Sequence, residues 1–312
     1  MLLTNLKQLV FLYKRGKDMK KIIVILIACI LLTSACSNKQ NEVTKTEEDT
    51  VNINTVTIGE NKMNYIVFGS GEKNFVIIPG LSIHSVLNSK DAIKEAYKEF
   101  ENEYTVYLFD RATNIKEGYS IRDMAKDIAD AMKELNIENA YIFGASQGGM
   151  IAQYLAIDYP ELVNKVVLGS TLSKPNETSI NVISNWINLA KEKEETKLLE
   201  SFVDDVYSKN TLDNYRDYLI SSNAGITNEE YERFIILASA CNTFDCYDEL
   251  INIKCPVLVL GSYGDKVVTV EASKEIQEKI NSDIYLYDDS YGHGVYDEAS
   301  DYKQRILDFF ND

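Results

Sequence analysis

Short apolar runs alternate with amphipathic segments along the chain from residue 51 onward. The apolar runs, such as 75–78 and 257–260, are rich in β-branched and aromatic residues, which is typical of buried strands. The segments between them, such as 120–135, carry apolar residues at helical spacing. Strands that alternate with helices predict an α/β fold, in which right-handed crossovers build a mostly parallel sheet with helices on both faces.

The same pattern predicts where the individual elements lie. Strands are expected near residues 51–58, 63–68, 74–80, 105–109, 140–143, 163–169, 257–260 and 284–287, and helices near 91–100, 120–135, 149–156 and 302–310. Helix-like stretches also fill the long segment between two of these strands. We therefore expect a core of residues 51–171 and 254–312, with a helical insertion over residues 172–253.

One serine lies between a predicted strand and a predicted helix. Residues 144–148 read Gly-Ala-Ser-Gln-Gly, so Ser146 has glycines at both second-neighbour positions. Glycines are needed there when a serine occupies a sharp, crowded strand-to-helix turn. The five residues alone are a weak motif, but the strand before them and the helix after them are the context that the motif requires. Ser146 is therefore a candidate nucleophile.

A serine nucleophile needs a general base, usually a histidine oriented by a carboxylate. The chain has two histidines, His84 and His293. His293 lies in a glycine-flanked loop after the last predicted strand, and Asp265 lies in a Gly-rich turn after the strand at 257–260. Ser146, Asp265 and His293 thus each follow a separate predicted strand, in that chain order.

This order and context resemble the α/β-hydrolase family over roughly residue 51 to the end of the chain. The resemblance implies an eight-stranded sheet and makes residues 172–253 a helical cap over the active site, here named the cap insertion. It implies that Ser146 is the nucleophile and that His293 is the general base and later the acid. Asp265 would fix the imidazole tautomer and stabilise its cation.

The resemblance also implies an oxyanion hole made of backbone N–H groups. One donor would be Gln147, directly after the nucleophile. The second would be Leu81, with Ser82 as the alternative, in the loop after the third strand. The family usually has His-Gly at that strand end, whereas this chain has Pro-Gly at residues 79–80. His84, in the same loop, would either line the pocket or have a surface or helix-capping role.

The N-terminal region has the pattern of a secretion signal. Lysines at 20 and 21 precede an apolar run over residues 22–32, which is short for a crossing of the roughly 30 Å hydrocarbon core. Small residues at 33–35 then precede Cys36. This pattern resembles a bacterial lipoprotein signal, which implies cleavage before Cys36 and lipid modification of its thiol. An ordinary signal peptide and an uncleaved anchor are the alternatives.

Residues 1–36 are therefore expected to be a signal segment, with translation beginning at Met19, because residues 1–18 add a prefix that a secretory signal does not need. Residues 37–50 are polar and too poor in apolar side chains to pack, so they are expected to form a tether. Together these features predict a protein attached to the bacterial cell membrane on its extracytoplasmic side.

Charge and cysteine content indicate which classes of partner and cofactor to expect. The net charge is −16, and the basic signal segment makes the remainder more acidic still. Such a surface repels nucleic acid and anionic headgroups, so membrane attachment would depend on the lipid. Cys241 and Cys246 could form a disulfide or remain buried thiols. No histidine accompanies the cysteines and no Gly-rich phosphate loop is found, so neither a metal nor a cofactor is expected.

The sequence thus predicts a serine hydrolase that cleaves a small-molecule ester or amide through an acyl-enzyme. A carboxylesterase is the first interpretation. A peptidase, a thioesterase and a cofactor-free perhydrolase are alternatives within the same fold. A ligand-binding lipoprotein without catalytic activity is the alternative from a different class, because a fold does not by itself specify a function. The sequence leaves the oligomeric state open.

Overall fold

Eight strands form one sheet in the computed structural model, which describes residues 50–312. The strands are β1 (Ile53–Ile58), β2 (Asn61–Phe68), β3 (Lys73–Ile78), β4 (Tyr104–Ala112), β5 (Ala140–Ala145), β6 (Val163–Gly169), β7 (Val257–Ser262) and β8 (Asp283–Tyr287). Their order across the sheet is β1-β2-β4-β3-β5-β6-β7-β8. β2 pairs antiparallel with β1 and β4, and every other pairing is parallel. The predicted eight-stranded, mostly parallel sheet is confirmed.

Helices cover both faces of the sheet. They are α1 (Lys90–Ala96), α2 (Ile121–Glu134), α3 (Gln147–Asp158), α4 (Glu177–Lys191), α5 (Glu195–Val206), α6 (Lys209–Ser222), α7 (Asn228–Asn242), α8 (Val270–Ile280), α9 (Val295–Glu298) and α10 (Tyr302–Asn311). Helices α4 to α7 all lie in the cap insertion between β6 and β7. No helix in the described part of the chain combines the length and apolar content needed to cross a bilayer.

Two hydrophobic clusters pack against the sheet, one on each face. Val76 and Ile142 belong to the cluster that also contains α2, α3 and part of the cap insertion. Their chain neighbours Phe75 and Phe143 belong to the other cluster, with α10. Successive residues of a strand point to opposite faces, so the apolar runs seen in the sequence reflect burial on both sides.

Local signals explain where helices begin and end. Ser120 caps α2: its hydroxyl accepts from the Asp123 N–H at 3.1 Å, and the Asp123 carboxylate accepts from the Ser120 N–H at 2.9 Å. The helix expected over 91–100 is shorter, since α1 ends at Ala96 and a separate 3₁₀ turn follows. The Tyr97 N–H there bonds the carbonyl oxygens three and four residues back, which tightens the turn.

The cap insertion contacts the loops at the carboxyl edge of the sheet. The Gln147 side chain donates to the carbonyl of Leu237 in α7 at 2.7 Å, and the Gly294 N–H donates to the carbonyl of Val206 in α5 at 2.8 Å. The insertion therefore touches the loops after β5 and β8. The predicted lipidation site Cys36, the signal segment and the tether up to residue 49 lie outside the described residues.

Candidate active site

Ser146 occupies a strained turn between β5 and α3. Its backbone has φ 53° and ψ −118°, a conformation that costs a non-glycine residue about 1–3 kcal/mol. The strain persists because the surroundings hold the turn: the Ser146 N–H donates to Gly169 O at 2.8 Å, and Thr171 Oγ1 donates to Ser146 O at 2.8 Å. Both partners belong to β6 or the residues that follow it, so the neighbouring strand fixes the serine.

The glycine at 148 allows α3 to approach β3 closely. A Cβ at Gly148 would lie 1.9 Å from the carbonyl oxygen of Ile78, which is far inside van der Waals contact. The contact is with backbone and cannot be relieved by a side-chain rotation. The glycine read from the sequence is thus a requirement of packing at this turn.

His293 joins Ser146 to Asp265. Its Nε2 lies 2.9 Å from Ser146 Oγ, and its Nδ1 lies 2.9 Å from Asp265 Oδ2. The Asp265 carboxylate is held by its other oxygen, which accepts from the N–H groups of Val267 and Val268 at 2.8 and 2.9 Å. His293 and Asp265 are both buried. The structure brings the three residues singled out in the sequence into one hydrogen-bonded chain.

The loop that carries His293 is anchored on both sides. Ser262, at the end of β7, donates its hydroxyl to Tyr291 O at 2.6 Å. The Glu298 carboxylate accepts from the Gly292 N–H at 2.7 Å and from the Ser208 N–H at 2.8 Å, which links the loop to the start of α6. The imidazole is therefore oriented by its loop as well as by Asp265.

The residues expected to bind an oxyanion are Gln147, which directly follows the serine, and Leu81, in a loop next to the serine turn. Gln147 is the first residue of α3, so its N–H has no acceptor within the helix. The loop that carries Leu81 packs against the same turn, because a Cβ at Gly80 would lie 3.3 Å from Ser146 Cβ. The hydroxyl of Ser82, the alternative donor residue, donates to the carbonyl of His84 in the same loop at 2.8 Å.

Arg111, at the end of β4, was not recognised in the sequence. Its Nη2 donates to Pro79 O at 2.6 Å and to Gln147 Oε1 at 3.1 Å, and the residue is 4% exposed. Burial lowers the pKa of Arg111 to about 10, which still leaves it charged at neutral pH. The sequence held one signal: two charged residues, Asp110 and Arg111, directly follow a buried apolar strand at the carboxyl edge of the sheet.

His84 bonds the cap insertion and does not contact the catalytic residues. Its Nδ1 lies 2.7 Å from Glu230 Oε1, and its Nε2 lies 2.8 Å from the carbonyl of Asn223 at the end of α6. Burial alone would lower the pKa of His84, but these two bonds and the charge of Glu230 outweigh it and raise the pKa. Of the roles considered for His84, helix capping describes the Asn223 contact best.

The cysteines are free thiols in the described residues. Cys241 and Cys246 are buried, and Cys255 is partly buried. Burial raises the pKa of the Cys241 thiol to about 11, so it is protonated at neutral pH. Within residues 50–312, no three His, Cys, Asp or Glu side chains are grouped as metal ligands.

Sequence comparison identifies the family. The profile described as alpha/beta hydrolase fold matches residues 73–300, which contain Ser146, Asp265 and His293. The chain belongs to the α/β-hydrolase fold family. Among curated proteins, the α/β-hydrolase chain is similar to 3-oxoadipate enol-lactonase 2 of Acinetobacter baylyi, with 23% identity over 235 residues, 72% of this chain and 84% of the enol-lactonase.

Solved structures agree with this assignment. MGS-M2, an alpha/beta hydrolase enzyme from a Medee basin deep-sea metagenome library, superimposes with a TM-score of 0.75 at 22% identity over 83% of this chain and 98% of its own. The enol-lactonase from Burkholderia xenovorans LB400 superimposes with a TM-score of 0.72 at 17% identity over 83% of this chain and 100% of its own. At these identities the likeness establishes the α/β-hydrolase fold and leaves the substrate open.

Proposed function

We propose that the protein is a serine hydrolase that cleaves a small-molecule ester through an acyl-enzyme at Ser146. The observation that carries the proposal is the pair of 2.9 Å contacts that link Ser146 Oγ to His293 and His293 to Asp265. A nucleophile that contacts a base, and a base oriented by a buried carboxylate, form the arrangement that activates a serine hydroxyl.

Acylation begins when Ser146 Oγ attacks the carbonyl carbon and its proton passes to His293 Nε2. The carbonyl π electrons move to oxygen, and the resulting oxyanion accepts hydrogen bonds from the backbone N–H groups of Gln147 and Leu81, each worth about 2.7–4 kcal/mol. Asp265 stabilises the imidazolium that forms. Collapse of the tetrahedral intermediate expels the leaving group, which takes the proton from His293 Nε2.

Deacylation repeats these steps with water as the nucleophile. His293 Nε2 takes a proton from the attacking water, and the same N–H groups stabilise the second oxyanion. The bond between the acyl carbon and Ser146 Oγ then breaks, and His293 returns its proton to Ser146. The product acid leaves with the oxygen of the water, so the enzyme is restored without any redox step.

An ester is the preferred substrate class, with carboxylesterase as the activity. The similar proteins of Acinetobacter baylyi and Burkholderia xenovorans are named enol-lactonases, and a lactone is a cyclic ester. Amides, thioesters and peracid formation use the same acyl-enzyme, so peptidase, thioesterase and perhydrolase activities are outcomes of the same substrate screen.

A binding lipoprotein that has kept the fold and lost the chemistry is the rival function. Such a protein has no need of a strained Ser146 backbone or of a buried carboxylate aligned on an imidazole, and both features cost stability. The geometry therefore supports the enzyme over the binding protein.

Activity and covalent labelling test the proposal together. The full chain, purified in detergent, should hydrolyse short-chain aryl esters and take one fluorophosphonate label at Ser146. Ser146→Ala should abolish both, because it removes the nucleophile and leaves the fold intact. The proposal is wrong if Ser146→Ala keeps esterase turnover, or if the folded wild-type protein hydrolyses no ester, amide or thioester.

A second proposal concerns the location of the protein and rests on the N-terminal sequence. We propose that the mature protein begins at Cys36 and is attached to the extracytoplasmic face of the bacterial membrane by a lipid on that residue. The lysines, the apolar run and the small residues before Cys36 support this location. Residues 37–50, taken as a flexible coil, would span on the order of 20 Å.

A further inference from the structure

We propose that Arg111 is the positioning residue of the oxyanion hole, holding in register the two loops that carry its N–H donors. The inference rests on the proposed function, since an oxyanion hole matters only if Ser146 forms tetrahedral intermediates. Arg111 itself touches neither Ser146 nor the reacting carbonyl. It acts through Pro79 on one side and Gln147 on the other.

Arg111 holds the loop after β3 through its strand end. Its Nη2 donates to the carbonyl of Pro79 at 2.6 Å, a short bond from a charged donor. Pro79 directly precedes Gly80, which packs against Ser146. The next residue, Leu81, is the proposed N–H donor. The bond to the Pro79 carbonyl fixes the peptide plane between Pro79 and Gly80. The Leu81 N–H lies in the next peptide plane, and only the two backbone torsions of Gly80 separate the two planes.

The same guanidinium holds the turn after β5. Nη2 and Nε both donate to Gln147 Oε1, at 3.1 and 3.3 Å. The amide of Gln147 is held at its other end as well, because its Nε2 donates to Leu237 O at 2.7 Å. The side chain of Gln147 is thereby fixed at both ends, and its backbone N–H is the second donor. One side chain thus connects both halves of the oxyanion hole.

The surroundings of Arg111 indicate a role beyond stability. The guanidinium is buried and donates no hydrogen bond to a described carboxylate, although the nearby charge of Asp110 favours its charged form. Its Nη1 has no hydrogen-bond partner among the described residues. Its neighbour Asp110 pairs instead with Arg233, at 2.8 Å. A buried charge satisfied by an amide and a carbonyl costs more than an apolar side chain of the same size. Precise placement of the two loops is the benefit that offsets this cost.

Kinetics and inhibitor binding on the full chain in detergent test the proposal. Arg111→Gln should lower kcat on a short-chain aryl ester by about 10- to 100-fold, with KM changed by less than about 3-fold, because the donors act on the tetrahedral oxygen and not on the ground state. Affinity for a boronic acid, which forms a tetrahedral adduct with Ser146, should fall by the same factor as kcat/KM. Arg111→Lys, which keeps a charged donor for Pro79, should be intermediate.

Controls separate this role from a merely structural one. Rates are expressed per active site titrated with fluorophosphonate, so that a smaller amount of folded protein is not counted as a lower kcat. Arg122→Gln changes an arginine of α2 that pairs with Asp158 and Glu249, and it should leave kcat unchanged. Gln147→Met removes one of the two contacts of Arg111. In the double variant Arg111→Lys with Gln147→Met, the fold loss in kcat should therefore be smaller than the product of the two single losses.

The outcomes distinguish the two proposals. An active wild-type enzyme, labelled at Ser146, whose folded Arg111 variants keep kcat and boronic acid affinity would overturn the role of Arg111 alone. Esterase turnover that survives Ser146→Ala would overturn the proposed function. If Arg111→Gln does not fold, Arg111→Lys and Gln147→Met decide the matter by the same readouts, and full kcat in both overturns the role.

Discussion

The two oxygens of the Asp265 carboxylate have different partners. Oδ1 accepts from the N–H groups of Val267 and Val268, and Oδ2 faces His293 Nδ1 at 2.9 Å. The backbone bonds therefore fix which oxygen meets the imidazole. Because that oxygen can only accept, His293 must carry its proton on Nδ1, which leaves Nε2 free to accept the proton of Ser146.

Asp265→Asn should invert this tautomer while preserving the fold. The asparagine oxygen would keep the bonds from Val267 and Val268, so its NH₂ would face Nδ1 and place the imidazole proton on Nε2. We expect a loss in kcat of about 10³- to 10⁴-fold on aryl esters, with little change in the unfolding midpoint. Asp289→Asn, an exposed residue of the loop before His293, is the matched control. Near-normal kcat in folded Asp265→Asn would mean that Asp265 is not the orienting group.

At the scale of elements, His84 ties the loop after β3 to the cap insertion. Both of its ring nitrogens face acceptors, the carboxylate of Glu230 in α7 and the carbonyl of Asn223 at the end of α6. Both nitrogens must then carry hydrogens, so these contacts hold the imidazolium form. Glu195 adds to the negative field around His84.

This contact should make stability depend on pH. The folded state holds the His84 proton more tightly than the unfolded state, since the folded pKa is raised above 6.5. The contribution is therefore fully present below about pH 6.5 and is lost as the pH rises through the folded pKa of His84. We expect His84→Gln to lower the unfolding free energy by about 1 kcal/mol at pH 5.5 and by much less at pH 8.5, measured by urea denaturation.

Glu230→Gln serves as the partner control for this prediction. It should remove most of the pH-dependent part and leave the share that comes from Asn223 and Glu195. Adding His84→Gln to it should therefore cost less than His84→Gln costs in the wild-type protein. The catalytic residues are the same in the wild-type protein and in the variant, so their effect cancels in the difference. A difference between wild type and His84→Gln that is equal at the two pH values would show that folding does not raise the pKa of His84.

At the scale of the whole molecule, the net negative charge disfavours contact with the membrane to which the proposed lipid would attach the protein. The chain has 48 acidic and 32 basic residues, so its surface is repelled by anionic headgroups. Retention at a membrane would then depend on the proposed lipid at Cys36 and not on a basic patch.

Cys36→Ala should release the protein from the membrane. In a bacterial host that processes lipoproteins, the wild-type chain should partition into detergent, and the variant should appear in the soluble extracytoplasmic fraction or as an uncleaved precursor. Cys29→Ala alters the other N-terminal cysteine, inside the apolar run, and should leave partitioning unchanged. Lipid-labelled protein in the Cys36→Ala variant would refute the proposed anchor.

The sequence by itself determined the class of fold and the three residues that converge. Apolar runs and helical spacing are local properties, and parallel strands end at the same edge of a sheet. The loops after β5, β7 and β8 therefore lie at one edge of the sheet, which is where Ser146, Asp265 and His293 meet. The chain order also separated the cap insertion from the core, because its helices lie in one stretch between two strands.

Only the tertiary structure decided what holds this site in place. Arg111 joins residues 32 and 36 positions away in the chain, and His84 reaches partners 139 and 146 positions away. Such contacts depend on the distances between elements and on side-chain directions. Neither of these produces a periodic pattern of apolar residues that could be read from the sequence. The folded chain placed Arg111 between the two oxyanion loops and His84 against the cap insertion, because packing of the sheet and helices brings together residues that the sequence keeps apart.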